Sequence, residues 1–274
     1  MKRKPRKETL TRTKTINTMS KKSENAKRLY LEGIKEGKIE VVDEFTGDRY
    51  TQHSTGVADG PEGFKEFFKG FLERTNKRDI QLIRVIEDGR HVFVHAYQDI
   101  DDGSAKWVTT DLFDTDKDDK IIEHWDVIAP YVDPSDTPAG NDIILGDFEI
   151  SDMGKTESNK ALVRMFLTDV VQNRNHSALE KYVSKESFIQ HSSEIAEGFD
   201  AFSEHLQAEN HEYDFVFRLI GEGNHVVSMS QVTSNNQPFC VFDIFRVEND
   251  KIVEHWDNKE PIPPRSEWAN TGKF

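Results

Sequence analysis

The chain has 274 residues and a formal net charge of −14 at pH 7. That length is too great for one small domain and suits two domains, each with its own core. The single cysteine, Cys240, excludes an intramolecular disulfide, and no apolar run approaches the roughly 18 residues of a membrane span. Because the basic N-terminus is not followed by the apolar stretch of a secretory signal, we expect a cytoplasmic protein without a membrane partner.

The first 22 residues differ in charge from the rest of the chain. Residues 1–22 hold nine Lys or Arg and one acid, Glu8, which gives this tail a charge of +8. Subtracting +8 from −14 leaves −22 for the remainder, which disfavours nucleic acid and anionic membranes as partners of the folded part. The tail is either a basic arm for such a partner or a disordered extension. Its lack of helical periodicity favours the extension, and Met19 is an alternative start that would remove residues 1–18.

Helices precede strands in the first half of the chain. Apolar residues at helical spacing predict one helix at Ala26, Leu29, Tyr30 and Ile34, and a second, Phe-rich helix that begins at Gly60 and Pro61. Alternating and β-branched residues then predict strands at residues 80–86, 91–98, 106–113 and 121–128. Turns such as Asp88-Gly89 indicate antiparallel hairpins between them. This order is typical of an α+β fold with helices on one face of a curved sheet.

The octapeptide DKIIEHWD at residues 119–126 returns as DKIVEHWD at residues 250–257. Three further pairs recur in the same order: Tyr50-Thr-Gln-His53 with Phe188-Ile-Gln-His191, Arg84 to His91 with Arg218 to His225, and Asp111-Leu-Phe113 with Asp243-Ile-Phe245. The repeat therefore predicts two homologous domains, at residues 23–133 and 157–270. The acidic stretch 134–156, which contains Pro and Gly, is predicted to be a linker.

These motifs, with the ending Pro261-Ile-Pro-Pro-Arg-Ser-Glu-Trp-Ala-Asn270, resemble the SnoaL-like polyketide cyclases of the nuclear transport factor 2-like superfamily. The resemblance covers both copies. It implies a cone-shaped α+β barrel with a deep pocket between helices and sheet, in which an Asp moves a proton during an aldol closure without metal or cofactor. It also implies pairing through the sheets, so the copies are expected to form a pseudodimer within one chain. Further homo-oligomerisation is left open.

The chemistry of individual residues points to a site in the first copy. Asp111 shares a strand face with Trp107 and Phe113, an aromatic and apolar setting of the kind that raises a carboxyl pKa. Asp111 is the predicted base, and His53 and His124 are the other catalytic candidates, because proton removal next to a carbonyl needs a base and a donor to the enolate oxygen. The pocket candidates of this copy are Tyr50, His95, Tyr97, Trp107 and Phe113. We expect these side chains to converge on one cavity.

Each candidate also has a structural interpretation. Asp111 and Asp243 are alternatively strand-edge acids paired with Arg or Lys. His53 and His191 could bond backbone at a helix-to-strand junction, and His124 and His255 could be satisfied core residues beside packing tryptophans. No His-x-x-x-His or paired cysteine gives metal-ligand spacing, so neither a metal nor a cofactor is predicted.

The second copy retains three pocket candidates, His191, Asp243 and His255, but has Met229 where the first has His95 and Phe188 where the first has Tyr50. The first copy is therefore the better candidate for reactivity. Three functions remain open: a cofactor-free cyclase, isomerase or dehydratase acting on a small apolar carbonyl compound, a non-catalytic binder of such a compound, or a dimerisation module.

Overall fold

The computed structural model describes residues 20–208 and 211–274, so residues 1–19 of the predicted tail lie outside the described residues. The first helix begins at Lys21, and the Ser20 hydroxyl caps it by accepting the Ser23 N–H. The tail boundary expected after residue 22 is thus too late. Lys21 and Lys22 are helical because the cap precedes them.

The first domain contains three helices and five strands. Its elements are α1 (Lys21–Arg28, continued by a π-helical segment at Leu29–Lys35), α2 (Val42–Phe45), β1 (Thr46–Gln52), α3 (Gly60–Arg74), β2 (Arg78–Asp88), β3 (His91–Ile100), β4 (Ala105–Thr115) and β5 (Ile121–Pro130). The four predicted strands and the helix at Gly60 are confirmed, and each strand extends slightly beyond its predicted range.

The second domain repeats this order. Its elements are α4 (Thr156–Phe166, continued by a π-helical segment at Leu167–Gln172), α5 (Leu179–Tyr182), β6 (Ile189–Gln190), α6 (Gly198–Gln207), β7 (His211–Glu222), β8 (His225–Ser234), β9 (Gln237–Glu248) and β10 (Lys251–Pro261). The predicted α+β architecture is therefore present twice.

Both sheets have the same topology. The strand orders are β1-β5-β4-β3-β2 and β6-β10-β9-β8-β7, with antiparallel neighbours except for the parallel pairs β1 with β5 and β6 with β10. The helices cover one face of each sheet and bury apolar cores there, which include Phe64 and Phe113 in the first domain and Phe202 and Phe245 in the second. The repeated octapeptides lead into β5 and β10, which hold equivalent places in the two sheets: β5 lies between β1 and β4, and β10 lies between β6 and β9.

The opposite faces of the two sheets pack against each other. One apolar cluster combines Phe93, Leu112 and Trp125 of the first domain with Phe242 and Trp256 of the second. Across this contact the Asn258 amide donates to the Val108 carbonyl at 3.2 Å and to the Val127 carbonyl at 3.1 Å. The expected intrachain pseudodimer is confirmed.

The segment between the domains, which we call the first crossing segment (residues 131–152), contacts both domains: Ile143 and Ile144 pack with Val108 of the first domain, and its backbone carbonyls bond the second. Its Asp142 carbonyl accepts from His191 Nδ1 at 2.7 Å, and its Leu145 carbonyl accepts from Trp256 Nε1 at 2.6 Å. Ile143 and Ile144 are buried. The predicted linker is therefore a docked part of the structure.

The end of the chain makes the reciprocal crossing. The second crossing segment (residues 262–274) lies on the first domain, where the Gly272 carbonyl accepts from His53 Nδ1 at 2.8 Å and the Ala269 N–H donates to the Thr55 carbonyl at 2.8 Å. Each domain is therefore covered by the segment that leaves the other. None of the helices in the described part of the chain is long and apolar enough to cross a membrane.

Candidate functional site

A small cavity lies between the helices and the sheet of the first domain. Its volume is about 40 Å³. The lining is mainly apolar and aromatic, with a polar cluster on the sheet: Leu29, Tyr30, Ile34, Gln52, Val57, Phe64, Phe67, Phe68, Gln98, Thr109, Asp111, His124, Asp126 and Ile128. Because a water needs roughly 10 to 15 Å³ of such volume, this space has room for only a few waters.

Asp111 is the centre of the polar cluster. One of its carboxylate oxygens, Oδ1, accepts from His124 Nε2 at 2.8 Å, and the other, Oδ2, accepts from the Tyr30 hydroxyl. Strand pairing explains the first contact, because Asp111 on β4 faces Asp126 on β5 and His124 lies two residues before Asp126 on the same face. Burial raises the pKa of Asp111, and the hydrogen bond from His124 opposes that increase. Asp111 is thus a buried carboxyl with two donors.

The orientation of His124 is determined by β1. The Gln52 side-chain oxygen accepts the backbone N–H of His53 at 2.9 Å and of Ser54 at 3.0 Å, so its NH₂ group faces His124 Nδ1 at 3.2 Å. The Tyr50 hydroxyl also lies 3.0 Å from Nδ1. With donors on Nδ1, the proton of a neutral imidazole resides on Nε2 and points to Asp111. Tyr50 therefore contacts the polar cluster through His124, although it does not line the cavity itself.

A second carboxylate faces Asp111. The Oδ1 atom of Asp126 lies 3.2 Å from Nζ of Lys273, which belongs to the second crossing segment. Burial alone would raise the pKa of Asp126, but the ammonium of Lys273 and the nearby His124 together lower it. Asp111 and Asp126 are thus a pair of carboxyl groups whose pKa values are displaced in opposite directions, an arrangement that separates acid and base roles.

His95 and Tyr97 do not line this cavity, and the expectation that they converge with Asp111 is wrong. Val94 pairs with Asp111 and His95 with Thr110, so His95 and Tyr97 point to the opposite face of the sheet. There His95 Nδ1 lies 3.0 Å from a guanidinium nitrogen of Arg84, and burial followed by the Arg84 charge lowers the pKa of His95 well below its usual value. Tyr97 packs on Tyr131 of the first crossing segment, with ring centroids 5.1 Å apart.

His53 and His191 also lie outside the cavities. The His53 ring stacks on Trp125 with centroids 4.6 Å apart, and that of His191 stacks on Trp256 at 4.8 Å. Each donates from Nδ1 to a backbone carbonyl of a crossing segment. The predictions that His53 is catalytic and that His191 lines a pocket are therefore wrong. Each His follows a Gln at the end of a strand, and Gln52 lines the first cavity, so the next side chain points to the domain interface.

Phe113 and Trp107 are on the face expected for them. Phe113 stacks on His124 with ring centroids 4.5 Å apart and helps to hold the imidazole. Trp107 opposes Gln98 in the sheet and is half-buried at the start of β4, beyond the cavity lining. Of these two predicted pocket residues, only Phe113 contacts the polar cluster.

The second domain contains a corresponding cluster around Asp243. Its carboxylate oxygens lie 3.1 Å from His255 Nε2, 3.1 Å from the Tyr213 hydroxyl and 3.2 Å from the Ser228 hydroxyl. The cavity beside it measures about 20 Å³. The expectation that the second copy has lost polar partners is wrong for Met229, which faces the domain interface. It holds for Phe188, which lacks the hydroxyl that Tyr50 places 3.0 Å from His124 Nδ1, but Tyr213 supplies another donor, to Asp243.

In the first domain's site, Tyr30, Asp126 and Lys273 are not predicted from the sequence. The apolar spacing places Tyr30 in the core stripe of the first helix, although a Tyr in an apolar stripe carries a hydroxyl that needs a partner. Asp126 stood on the correct strand face but was not assigned a role. Lys273 has no signal in the sequence, because its contact with Asp126 spans 147 positions.

One group of side chains in the described ranges has a spacing that would suit a metal ion. Ligand atoms of Asp111, His124 and Asp126 lie within 4.8 Å of one another. The Lys273 ammonium already neutralises Asp126, and His124 donates to Asp111 from the nitrogen that would coordinate. This donor set therefore fits a proton-transfer site better than a cation site.

Family models match both domains. A model described as a SnoaL-like domain matches residues 27–124, and one described as a SnoaL-like polyketide cyclase matches residues 151–261. No curated protein matches the chain.

Each of the similar solved structures matches a part of the chain about as long as one domain. An NTF2-like protein of unknown function from Cytophaga hutchinsonii is 16% identical over 42% of this chain and 95% of its own, with a TM-score of 0.34. A candidate SnoaL-like polyketide cyclase from Jannaschia is 20% identical over 39% and 84%, also at 0.34. An LEH-like epoxide hydrolase of M. tuberculosis is 15% identical over 39% and 85%, again at 0.34. TM-scores this low support no inference about this chain, so its assignment to a family depends on the family models alone. Together these models cover more than half of the chain, which therefore belongs to the SnoaL-like family as two domains in tandem.

Proposed function

We propose that the first domain performs cofactor-free acid/base chemistry on a small, mostly apolar carbonyl compound. The observation that carries this proposal is the buried carboxyl of Asp111, bonded by His124 at 2.8 Å and by Tyr30, beside a cavity with aromatic walls. A carboxyl whose pKa is raised by burial accepts a carbon-bound proton more readily than an exposed carboxylate.

The proposed step is removal of a proton next to a carbonyl group. The proton moves from the substrate carbon to Asp111, and its bonding electrons form the enolate. Once Asp111 is protonated, the Tyr30 hydroxyl no longer faces a carboxylate and can donate to the enolate oxygen. Return of the proton to another carbon would give isomerisation, and attack of the enolate on a second carbonyl would give ring closure.

The volume of the cavity limits the substrate. A space of about 40 Å³ is well below the several hundred Å³ of ordinary ligand pockets, so a ketone must displace side chains to bind. Phe67 and Phe68 on α3 are suited to this, since both line the cavity and Phe67 is 41% exposed. We therefore propose that access is at the α3 side.

Hydrogen exchange in a ketone tests the proposal directly. The full chain in D₂O should catalyse exchange of the α-protons of 2-tetralone, followed by proton NMR. Asp111→Asn should reduce the protein-dependent rate by about 100-fold or more, because it removes the base. Asp243→Asn is the matched control, since it changes the equivalent carboxyl of the second domain, and its rate should remain within about twofold. Equal rates for wild type and Asp111→Asn would exclude Asp111 as the base.

The small cavities favour a second candidate, a non-catalytic module in which the first domain only binds a ligand or the copies only stabilise each other. Thermal shift with 2-tetralone separates these outcomes. Stabilisation without exchange would indicate a binding protein, whereas neither effect would favour a role in pairing.

The remaining parts of the proposal concern the location, cofactors and partners of the protein. We propose a cytoplasmic protein that needs no cofactor or metal and has no nucleic acid or membrane partner for its folded part. The charge of −22 outside the first 22 residues supports this, because it repels phosphate-rich surfaces.

A further inference from the structure

A lysine near the end of the chain lies buried beside the first domain's site. Lys273 is 2% exposed, and its ammonium bonds Asp126 of β5 at 3.2 Å and also bonds Glu260 of β10. Lysine is almost never this deeply buried without acidic partners. The second crossing segment therefore delivers a positive charge to the sheet face of the first domain.

The segment that carries Lys273 is firmly held. The Asn270 amide donates to the Ser54 carbonyl at 2.6 Å and to the Val57 carbonyl at 2.9 Å, and the Gly272 N–H donates to Asn270 Oδ1 at 2.9 Å. These contacts surround the turn that follows β1. Lys273 is thus positioned by the contacts that Asn270, three residues before it, makes with this turn.

The groups facing Asp126 are Lys273 from the crossing segment, His124 from β5, Asp111 from β4 and the hydroxyl of Ser54 after β1. Glu260 of β10 and the hydroxyls of Tyr30 and Tyr50 also interact with its charge. Those facing Lys273 are Asp126, Glu260 and the Cys240 thiol of β9. Burial works against the ammonium, but the two carboxylates raise the pKa of Lys273. A buried ion of this kind remains charged because its partners are charged.

The second domain provides an internal comparison. The carbonyls of Gly272 and Asp142 occupy the same place relative to His53 and His191, so the position equivalent to Lys273 is Ile143. Asp257, the equivalent of Asp126, has its pKa raised, chiefly by burial. The two domains differ where one crossing segment carries a cation and the other an apolar side chain.

We propose that Lys273 is a positioning residue of the first domain's site, where its ammonium holds Asp126 as a carboxylate and leaves Asp111 as the group that gains and releases a proton. Two facing buried carboxyls without this cation would share one proton and lose their separate roles. This inference rests on the proposed function, in which Asp111 is the base. It also means that the first domain's site is incomplete without the segment that follows the second domain.

Carboxyl titration followed by NMR tests the inference without a substrate. The full chain, labelled with ¹³C at the Asp side-chain carboxyls, is titrated with Asp111→Asn and Asp126→Asn as assignment variants. Lys273→Met should raise the titration midpoint of Asp126 by about one pH unit or more. Lys273→Arg should preserve the wild-type midpoint because it keeps the charge. The control is Lys65→Met, another lysine bonded to two acids, Asp43 and Glu62, and it should change nothing at Asp126.

An unchanged Asp126 midpoint in Lys273→Met would overturn the inference. If Lys273→Met does not fold, Glu260→Gln replaces it. That variant keeps the cation and removes the acid that competes for it, so the Asp126 midpoint should fall. A constant or higher midpoint would contradict the proposed role.

The exchange assay separates this inference from the proposed function. A shifted Asp126 midpoint without ketone exchange in any variant would support the role of Lys273 and refute the function. The opposite result is that wild type and Lys273→Met catalyse exchange with the same pH profile and have the same Asp126 midpoint. That result would support the function and refute the role of Lys273.

Discussion

The two domains build the same Asp–His pair but complete it with different residues. In the first, the hydroxyl that bonds the Asp comes from Tyr30 at the helix end, and in the second it comes from Tyr213 on a strand. The strand position equivalent to Tyr213 is Ile80. Ile80 pairs with Gln98 and Tyr213 pairs with Val232, at matching places in the two sheets. A buried carboxyl needs hydrogen-bond donors. The two domains supply that donor from different elements of the fold, a helix in the first and a strand in the second.

The domains also differ at the mouths of their cavities. Phe67 and Ile128 of the first correspond to His205 and Lys259 of the second, and all four line their cavities. Burial and the neighbouring His211 lower the pKa of His205 to about 4. The first cavity thus has an apolar rim suited to a hydrophobic compound, and the second has a polar one.

The largest expected effect concerns two glycines of the first crossing segment. Gly146 has φ +107, and an added Cβ would clash with Glu254 and lie 2.6 Å from Trp256 Cζ2 and 2.8 Å from His191 Nε2. Gly146→Ala should lower the free energy of unfolding by about 3 kcal/mol. The control Gly140→Ala has φ +69 but open space, so its loss should be on the order of 1 kcal/mol. Urea unfolding measures both, and equal losses would contradict the docked segment.

A second prediction concerns equivalent arginines. Arg84 donates to the Ile144 carbonyl at 3.0 Å and the Leu145 carbonyl at 3.2 Å, and its guanidinium lies 4.0 Å from the Trp256 ring. Arg84→Met should lower the free energy of unfolding by about 2 kcal/mol, because the buried Ile144 carbonyl loses this donor and the Leu145 carbonyl is left with Trp256 Nε1. Arg218 lies 5.9 Å from Trp125, so Arg218→Met should lower it by less than about 1 kcal/mol. If urea unfolding gives the reverse order, Arg84 does not hold the segment.

A third prediction uses pH to distinguish the facing carboxyls. The folded-state pKa of Asp111 is raised above its unfolded value. As the pH rises from the unfolded pKa to the folded pKa, the free energy of unfolding therefore falls, because the unfolded chain loses its proton more readily. A neutral Asn at this position avoids the loss. Asp111→Asn should therefore raise the melting temperature at pH 7 by a few degrees, roughly 2 to 4 °C per kcal/mol. The gain should vanish below about pH 3.8, where the unfolded carboxyl is also protonated.

The opposite sign is expected for Asp126. Its folded pKa is lowered, so it adds stability above its unfolded pKa, and this stability is lost as the pH falls through the folded pKa. Asp126→Asn should therefore lower the melting temperature at pH 7, by an amount that shrinks in acid. Shifts of the same sign for both variants in thermal melts would show that the two carboxyls are not distinguished.

The smallest expected effect compares the two tyrosines. Tyr30→Phe should slow 2-tetralone exchange by roughly tenfold, about 1.4 kcal/mol, because the oxyanion loses one donor. Tyr213→Phe should leave that rate unchanged, since Tyr213 bonds Asp243 in the other domain. A loss with Tyr213→Phe equal to that with Tyr30→Phe would place the reaction in both domains.

Much of the fold was predictable because the relevant patterns are local. Alternation identified all four long strands of the first domain, and the repeated octapeptide identified the duplication. The convergence of Asp111 and His124 also followed from alternation, since each shares a face with its neighbours at i±2. The prediction failed at His95 and Tyr97, because the register between β3 and β4 decides which face they occupy, and a shift of one residue reverses that face.

The sequence by itself determined that there are two α+β domains, where their strands lie, and that Asp111 and His124 could share a face. Only the tertiary structure decided that His53 and His191 hold crossing segments, that Tyr30 and Tyr213 bond the buried carboxyls, and that Lys273 faces Asp126. The physical reason is the range of the interactions. Side-chain periodicity is a property of consecutive residues, whereas these contacts depend on the packing of segments that are distant in the chain and on the need to pair every buried charge.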